Sequence, residues 1–198
     1  MKHLLTLGLV AGLSMGLMTP AFAALKEGDK APVFNLEASL AGKPFQFSLA
    51  QSLKKGPVVV YFYPSAYTGG CNIQAHSFSV SSEKFAAAGA TVIGVSLDSI
   101  ERLNDFSADP EYCAGKFAVG SDADGKVAKA FELDVREAVE GKVDSRGKKI
   151  DHGFAERTTF VITPDGKIAA TIGGVAPADN VQQALSFVES LRVKKSGS

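Results

Sequence analysis

The segment that decides the fold is VVVYFYPSAYTGGCNIQAHSF, residues 58–78. Its first six residues are all β-branched or aromatic, which is typical of a strand buried on both faces. After a loop at 64–70, small and apolar residues recur at helical steps of three and four: Cys71, Ala75, Phe78, Ser82 and Phe85. A second strand-like run, TVIGVS, follows at 91–96. Strand, helix and strand in this order predict a right-handed βαβ unit.

Four further strands are predicted in two pairs, one on each side of this unit. Alternating apolar and polar residues at 34–37 and 45–48, with the turn sequence AGKP between them, favour an N-terminal β-hairpin. The runs 158–162 and 167–172 surround TPDG, which has Pro and Gly where a hairpin turn needs them.

Three more helices are predicted: after a cap at Ser99, within 122–131, and after a cap at Asp179. The charged, Gly-rich stretch 134–156 has no regular pattern and is predicted to be a surface insertion. The complete order is a hairpin, βαβ and then ββα. It predicts an α/β domain with a thioredoxin-like fold, in which helices flank a mixed sheet and a central insertion separates the two halves.

The first 23 residues have the pattern of a secretory signal peptide. A basic start precedes an apolar run from Leu4 to Met18, and the small residues Ala21 and Ala23 form a cleavage motif. The apolar run is short for a membrane span, and an uncleaved anchor is the alternative. We therefore expect an exported, periplasmic protein whose folded domain is 24–198, with no membrane attachment after cleavage.

Charge and cysteine content restrict the classes of function that this chain can have. The chain has 21 basic and 21 acidic residues, which gives no broad positive field for nucleic acid or an anionic membrane. It has two cysteines, Cys71 and Cys113. Paired cysteines in exported chains usually form structural disulfides, yet a domain of this size does not need one. The count alone leaves both a structural bond and a reactive thiol open.

The position of Cys71 favours the reactive thiol. It lies in the first turn of the predicted helix, where unpaired N–H groups and the helix dipole stabilise negative charge. Gly69 and Gly70 allow a tight turn that brings N–H groups close to a bound oxygen. Thr68 adds a hydroxyl that both donates and accepts. A plain helix cap at Thr68 and plain turn glycines are the alternatives.

Three motifs resemble those of the peroxiredoxin (AhpC/TSA) family. FYPSAYTGGC at 62–71 resembles the signature Pro-x-x-x-Thr-x-x-Cys with its preceding apolar strand. RTTFVI at 157–162 resembles the family's late strand opened by an Arg, and GDKAPVF at 28–34 resembles its N-terminal Gly-x-x-Ala-Pro-x-Phe. They occur in the family's order and span nearly all of the chain after the signal peptide.

This resemblance implies a thiol peroxidase and a role for each matching residue. Cys71 would be the peroxidatic thiolate, which attacks a peroxide oxygen and becomes a sulfenic acid. Thr68 would hydrogen-bond the peroxide, and Pro64 would shield the site from water. Arg157 would stabilise the thiolate and the charge on the leaving oxygen, while Gly70 supports the site. No metal or organic cofactor is implied.

Gln74 is similar to the Gln or Glu found at this place in the bacterioferritin-comigratory, PrxQ-like branch. Many members of that branch carry a resolving cysteine where this chain has His76, which we expect to be a half-exposed helix residue. Others carry it in the following helical region, where Cys113 lies. The resemblance therefore implies an intramolecular Cys71–Cys113 disulfide, formed when helix ends unwind. A one-cysteine enzyme and a bond between subunits are alternatives.

The expected substrates are hydrogen peroxide, organic hydroperoxides or both, and the expected partner is a thioredoxin-like or other thiol reductant. We expect a monomer or homodimer. Other functions fit less well: a thiol–disulfide oxidoreductase needs Cys-x-x-Cys, a glutathione-peroxidase-like enzyme needs a Trp that this chain lacks, and a copper carrier needs paired cysteines. A binding module with a structural Cys71–Cys113 bond is the non-enzymatic alternative.

Overall fold

The computed structural model describes residues 24–196. The predicted signal peptide at 1–23 lies outside the described residues. No helix in the described range is long and apolar enough to cross a membrane.

Nine strands and five helices make up the described chain. The strands are β1 (Asn35–Leu40), β2 (Lys43–Ser48), β3 (Val58–Phe62), β4 (Thr91–Ser96), β5 (Ala118–Ser121), β6 (Val135–Arg136), β7 (Phe154–Ala155), β8 (Thr158–Ile162) and β9 (Ile168–Gly173). The helices are α1 (Leu49–Leu53), α2 (Gly69–Ala87), α3 (Ile100–Ala108), α4 (Lys126–Ala130) and α5 (Pro177–Ser196).

Seven strands form one mixed sheet in the order β2-β1-β5-β4-β3-β8-β9. Strand β3 is central, parallel to β4 and antiparallel to β8. All five of its residues are buried, as its unbroken apolar sequence predicts. The predicted α/β class, mixed sheet, N-terminal hairpin and central insertion are confirmed.

Alternate residues of β3 point into two hydrophobic cores, one on each face of the sheet. Val59 and Tyr61 pack with Phe78 of α2 and Val188 of α5, together with both cysteines. Val58, Val60 and Phe62 belong to the second core on the opposite face. Each fully buried side chain of this size contributes about 1.5–3 kcal/mol, so β3 fixes α2, and therefore Cys71, against the sheet.

The predicted helix boundaries need two adjustments. The C-terminal helix begins at Pro177, and Asp179 lies in its first turn, so the prediction that Asp179 caps it is wrong. Proline suits the first helical position because its missing N–H has no partner there. In 122–131 the helix is confined to α4, since Gly125 has a left-handed φ of 66° just before it. The Ser99 cap is confirmed: its side chain accepts from the Arg102 N–H.

The stretch 134–156, called the insertion below, is only partly a surface segment. Asp144, Ile150 and Phe154 within it are buried, and β6 pairs with β7 to close its base. The prediction of a simple surface excursion is therefore wrong. The polar sequence of the insertion gives no indication of its contacts with the loop that precedes Cys71.

Candidate active site

Cys71 is the third residue of α2 and is 2% exposed. The helix starts here because Thr68 has an extended backbone, with φ −118° and ψ 147°, while its carbonyl accepts from Asn72 N at 2.8 Å. The first turn contains no acidic side chain. Its N–H groups and the positive end of the helix dipole therefore remain available to stabilise a negative charge at Cys71.

Arg157 reaches the thiol from the neighbouring strand. Phe62 pairs with Thr158 in the antiparallel β3–β8 ladder, which sets Arg157 beside the end of β3. Its Nη2 donates to Cys71 Sγ at 3.3 Å, and its Nη1 donates to Gln74 Oε1. The structure thus brings Cys71, Gln74 and Arg157 together, as the two separate motifs predict.

Gly70 has a different physical role from the predicted one. Neither Gly69 nor Gly70 has a positive φ, so the turn does not require them. A Cβ on Gly70 would lie 3.1 Å from Arg157 Nη2 and 3.3 Å from Pro177 Cγ. The missing side chain therefore makes room for the guanidinium group, which is how Gly70 supports the site.

A buried hydrogen-bond chain holds Gln74 and, through it, Arg157. Gln74 Nε2 donates to Asn180 Oδ1 at 2.9 Å, and Thr159 Oγ1 donates to the same oxygen at 2.5 Å. Asn180 Nδ2 donates to the Ile172 carbonyl at 2.9 Å. Sequence reasoning missed Asn180. The sequence feature that could have identified Asn180 is its position four residues before Ala184, which places it on the buried face of α5.

Pro64 and Thr68 lie in the loop just before Cys71 and are half-buried. Thr68 makes no side-chain cap hydrogen bond to the helix; its hydroxyl donates to the Ser65 carbonyl at 2.8 Å. The oxygen therefore keeps its lone pairs for an approaching donor. Tyr67, between them, has a left-handed φ of 59°, an uncommon conformation that surrounding contacts must maintain.

Asp98 supplies one set of those contacts. Its carboxylate accepts from Ser65 Oγ at 2.9 Å and from Ala66 N at 2.7 Å. It also lies 2.8 Å from both Arg102 Nε and His152 Nε2. The loop 63–68 is therefore joined through one buried carboxylate to α3 and to the insertion.

The pKa values of Asp98 and His152 shift in opposite directions. Burial opposes the charged form of each group. For His152, the Asp98 hydrogen bond and charge outweigh burial and raise its pKa. For Asp98, the His152 hydrogen bond and charge, together with the Ala66 N–H, outweigh burial and lower its pKa. The pair therefore favours an imidazolium beside a carboxylate.

The insertion makes a second set of contacts with the loop. Ser145 N donates to the Tyr67 carbonyl at 2.9 Å, and the Arg146 guanidinium lies 3.2 Å from the Tyr67 ring centroid. Arg102 Nη2 donates both to the Ala66 carbonyl at 3.0 Å and to Asp144 Oδ2 at 2.8 Å. These contacts fix the insertion on the loop that leads into Cys71.

Cys113 lies in a turn after α3 and is fully buried. Burial, with a smaller effect of Asp109, raises the pKa of its thiol well above the usual value. Cys71 and Cys113 are both free thiols and belong to the same hydrophobic core. His76 is exposed rather than half-exposed, and its Nδ1 lies 3.0 Å from the Glu111 carbonyl of the Cys113 turn.

The chemistry that the surroundings of Cys71 allow is that of a thiol nucleophile. A thiol at a helix start can attack an electrophilic oxygen, and the guanidinium group beside it can stabilise the anion that leaves. Among residues 24–196, no group of three or more His, Cys, Asp or Glu side chains is arranged to hold a metal ion.

Fold and site together define a thiol peroxidase, an oxidoreductase with a thioredoxin-like fold. The chain belongs to the AhpC/TSA family, whose model matches residues 27–171.

Its similarities to individual proteins agree with this assignment. It is 35% identical over 144 residues to peroxiredoxin Bcp of Escherichia coli K12, covering 73% of this chain and 83% of that protein. It is 32% identical to chloroplastic peroxiredoxin Q of Sedum lineare, covering 86% and 82%. Among solved structures, peroxidoxin BcpB of Mycobacterium tuberculosis superposes with a TM-score of 0.70 at 29% identity, covering 84% of this chain and 98% of that one.

Proposed function

We propose that Cys71 is the peroxidatic residue of this peroxidase. The observation that carries this proposal is the hydrogen bond from Arg157 Nη2 to Cys71 Sγ at 3.3 Å, at the start of α2. The thiolate attacks one peroxide oxygen, so that an S–O bond forms as the O–O bond breaks. Cys71 becomes a sulfenic acid, and the second oxygen leaves as hydroxide or alkoxide and takes up a proton.

Three neighbours assist this step. Arg157 stabilises the thiolate and the negative charge that develops on the leaving oxygen. Thr68 accepts the peroxide O–H through lone pairs that its bond to the Ser65 carbonyl leaves free. Pro64, half-buried in the loop before Cys71, limits the access of water to the thiolate.

The test is hydroperoxide consumption with dithiothreitol as reductant. Cys71→Ser is expected to abolish it, because serine is not ionised at neutral pH. Cys113→Ser, the matched change of the other buried cysteine, should retain the first oxidation. Consumption by Cys71→Ser at the wild-type rate would contradict the proposal.

We propose further that Cys113 resolves the sulfenic acid by forming an intramolecular disulfide. Both thiols lie in one hydrophobic core, which supports the pairing. Burial raises the pKa of Cys113, so opening of the surrounding turn, which admits water, would favour its thiolate. A disulfide needs Cα atoms within about 7 Å, and we expect the first turn of α2 to unwind as the two sulfurs come together.

Intact-mass analysis after one equivalent of hydrogen peroxide tests this step. Wild type is expected to lose two hydrogens, while Cys113→Ser is expected to gain one oxygen as a trapped sulfenic acid. Wild type that gains oxygen and never loses two hydrogens would show a one-cysteine enzyme. A disulfide-linked dimer on a nonreducing gel would show resolution between subunits.

The substrates proposed are hydrogen peroxide and organic hydroperoxides, and the proposed reductant is a thioredoxin-like protein. Export to the periplasm is proposed from the pattern of residues 1–23 alone. Fractionation of cells that express the full chain tests it: the processed protein, shortened at Ala23, is expected in the periplasmic fraction. Full-length protein in the cytosol or membrane fraction would contradict it.

A further inference from the structure

Tyr67 has a backbone conformation that a tyrosine rarely adopts, directly before the start of α2. Its φ of 59° is left-handed, and a bulky residue keeps such a conformation only where its surroundings enforce it. The next residue, Thr68, accepts the first hydrogen bond of the helix, from Asn72 N at 2.8 Å. The conformation of Tyr67 therefore sets the direction in which the chain enters the helical turn that carries Cys71.

The insertion and α3 enforce this conformation from outside the loop. Ser145 N donates to the Tyr67 carbonyl at 2.9 Å, and Arg102 Nη2 donates to the preceding carbonyl, of Ala66, at 3.0 Å. The side chain is held as well, because the Arg146 guanidinium lies 3.2 Å from the centroid of the Tyr67 ring, where a cation is attracted to the aromatic face. Three separate contacts thus fix one residue.

Asp144 is the residue on which these contacts converge. It is buried, and its Oδ2 accepts from Arg102 Nη2 at 2.8 Å and from Nε and Nη2 of Arg146 at 3.2 Å each. Its Oδ1 accepts from the backbone N–H groups of Arg146 at 2.8 Å and Lys148 at 2.9 Å. One carboxylate therefore orients both guanidinium groups and also closes the turn of the insertion that contacts the loop.

The Tyr67 ring also packs on the segment that contains the second cysteine. Its centroid lies 5.6 Å from that of Tyr112 and 5.0 Å from that of Phe106. Tyr112 directly precedes Cys113. The unwinding of α2 that we expect as Cys71 approaches Cys113 changes the backbone next to Tyr67. It therefore works against the contacts that the insertion makes with this residue.

We propose that Asp144 is a positioning residue of the peroxidase. Through the two arginines it holds Tyr67, and with it the first turn of α2, in the arrangement in which Cys71 attacks the peroxide. The same contacts resist the unwinding that brings Cys71 to Cys113. The inference rests on the proposed roles of the two cysteines, and it assigns to the insertion the balance between attack and resolution.

Asp144→Asn tests this role because it changes one side of the carboxylate. The Oδ1 bonds to the backbone of the insertion can remain, while an amide N–H group replaces the oxygen that both guanidinium groups contact. The first measured quantity is the second-order rate constant for oxidation of Cys71 by hydrogen peroxide, in a Cys113→Ser background. We expect it to fall about ten- to a hundredfold, the range for a small displacement of reacting groups.

The second measured quantity is the rate of disulfide formation in the protein with both cysteines. It is taken at peroxide concentrations high enough that the rate no longer depends on them, which isolates this step from the oxidation of Cys71. We expect Asp144→Asn to raise it about three- to tenfold, because hydrogen bonds that resist unwinding are lost. Opposite changes in the two rates distinguish positioning from a general loss of stability.

Asp122→Asn is the matched control. Asp122 is also a buried aspartate, but its carboxylate accepts from Val127 N and Ala128 N of α4. This substitution is expected to lower the midpoint of thermal unfolding and to leave both rates unchanged. Arg146→Met is a second variant, which removes the cation over Tyr67 but keeps an unbranched side chain. It should shift both rates in the same directions as Asp144→Asn, and it decides the matter if Asp144→Asn does not fold.

Oxidation of Cys71 at the wild-type rate in Asp144→Asn and Arg146→Met would overturn the proposal. A fall in both rates, or equal changes in Asp122→Asn, would overturn it as well. Wild type that consumes no peroxide would instead contradict the proposed function. If wild type forms a sulfenic acid but never a disulfide, resolution by Cys113 is wrong, and the oxidation rates alone decide the role of Asp144.

Discussion

Replacing Arg157 tests the electrostatic part of the site most sharply. Arg157→Met removes the charge while keeping an unbranched side chain. At an effective dielectric constant near 20, a unit charge 3.3 Å from a sulfur anion interacts with it by about 5 kcal/mol. Part of this energy already stabilises the ground state, and the half-buried guanidinium is partly screened by solvent. Losing one such donor generally costs a factor of about 10²–10³ in rate, and we expect that range here.

The assay is a single turnover of reduced protein with hydrogen peroxide, quenched with an alkylating reagent and analysed by mass. It gives the second-order rate constant for oxidation of Cys71. Arg157→Lys is the matched control: it keeps the charge but replaces the two guanidinium nitrogens that bond Gln74 and Cys71 with a single ammonium group, so an intermediate rate is expected. A rate for Arg157→Met within threefold of wild type, with unchanged thermal stability, would refute the reasoning.

Two other predictions concern the contacts around the site. The pKa of His152 is raised in the folded state, so its bond to Asp98 stabilises the fold fully below the unfolded pKa of about 6.5, and this stabilisation is lost as pH rises through the folded pKa. The free energy of unfolding in urea should therefore fall across that pH range more in wild type than in His152→Gln. Parallel pH profiles of the two proteins would contradict this. Asn180→Leu leaves the buried Gln74 amide without its acceptor, which should cost about 1–3 kcal/mol and slow Cys71 oxidation about tenfold. The exposed Gln182→Leu on the same helix is its control, and an unchanged oxidation rate in Asn180→Leu would contradict the role of the hydrogen-bond chain.

The sequence predicts the fold well because its central strands are unbroken runs rich in β-branched residues. An unbroken β-branched and aromatic run such as 58–62 is typical of a central strand, and the residues after it have helical spacing that places Cys71 at a helix start. The meeting of Arg157 with Cys71 was implied by the family resemblance alone, and the structure brings the two residues together through the antiparallel pairing of β3 with β8.

The contacts of the insertion could not be predicted in this way. Asp144 and His152 lie among charged and glycine residues, a composition that indicates a solvated loop. Their partners on α3 and at Asp98 are 42 and 54 residues away, and no local periodicity encodes such pairs. The role of Asn180 could not be predicted for the same reason. Its amide forms hydrogen bonds with groups on two strands and another helix, which only the tertiary structure brings together.

The role of Gly70 also depends on three-dimensional neighbours. A glycine before a helix suggests turn geometry, yet here the absent side chain leaves space for Arg157. Gly70→Ala should therefore displace the guanidinium group while leaving the helix intact.

The most direct test of the central claim is to identify which cysteine sulfur is oxidised first. Cys113→Ser is treated with one equivalent of hydrogen peroxide in the presence of dimedone, digested and mapped by peptide mass. The account predicts a stoichiometric sulfenic-acid adduct on Cys71, formed about 10²–10³ times more slowly in the additional Arg157→Met variant. An unlabelled Cys71 with peroxide left unconsumed, or loss of peroxide unaffected by Cys71→Ser, would contradict it.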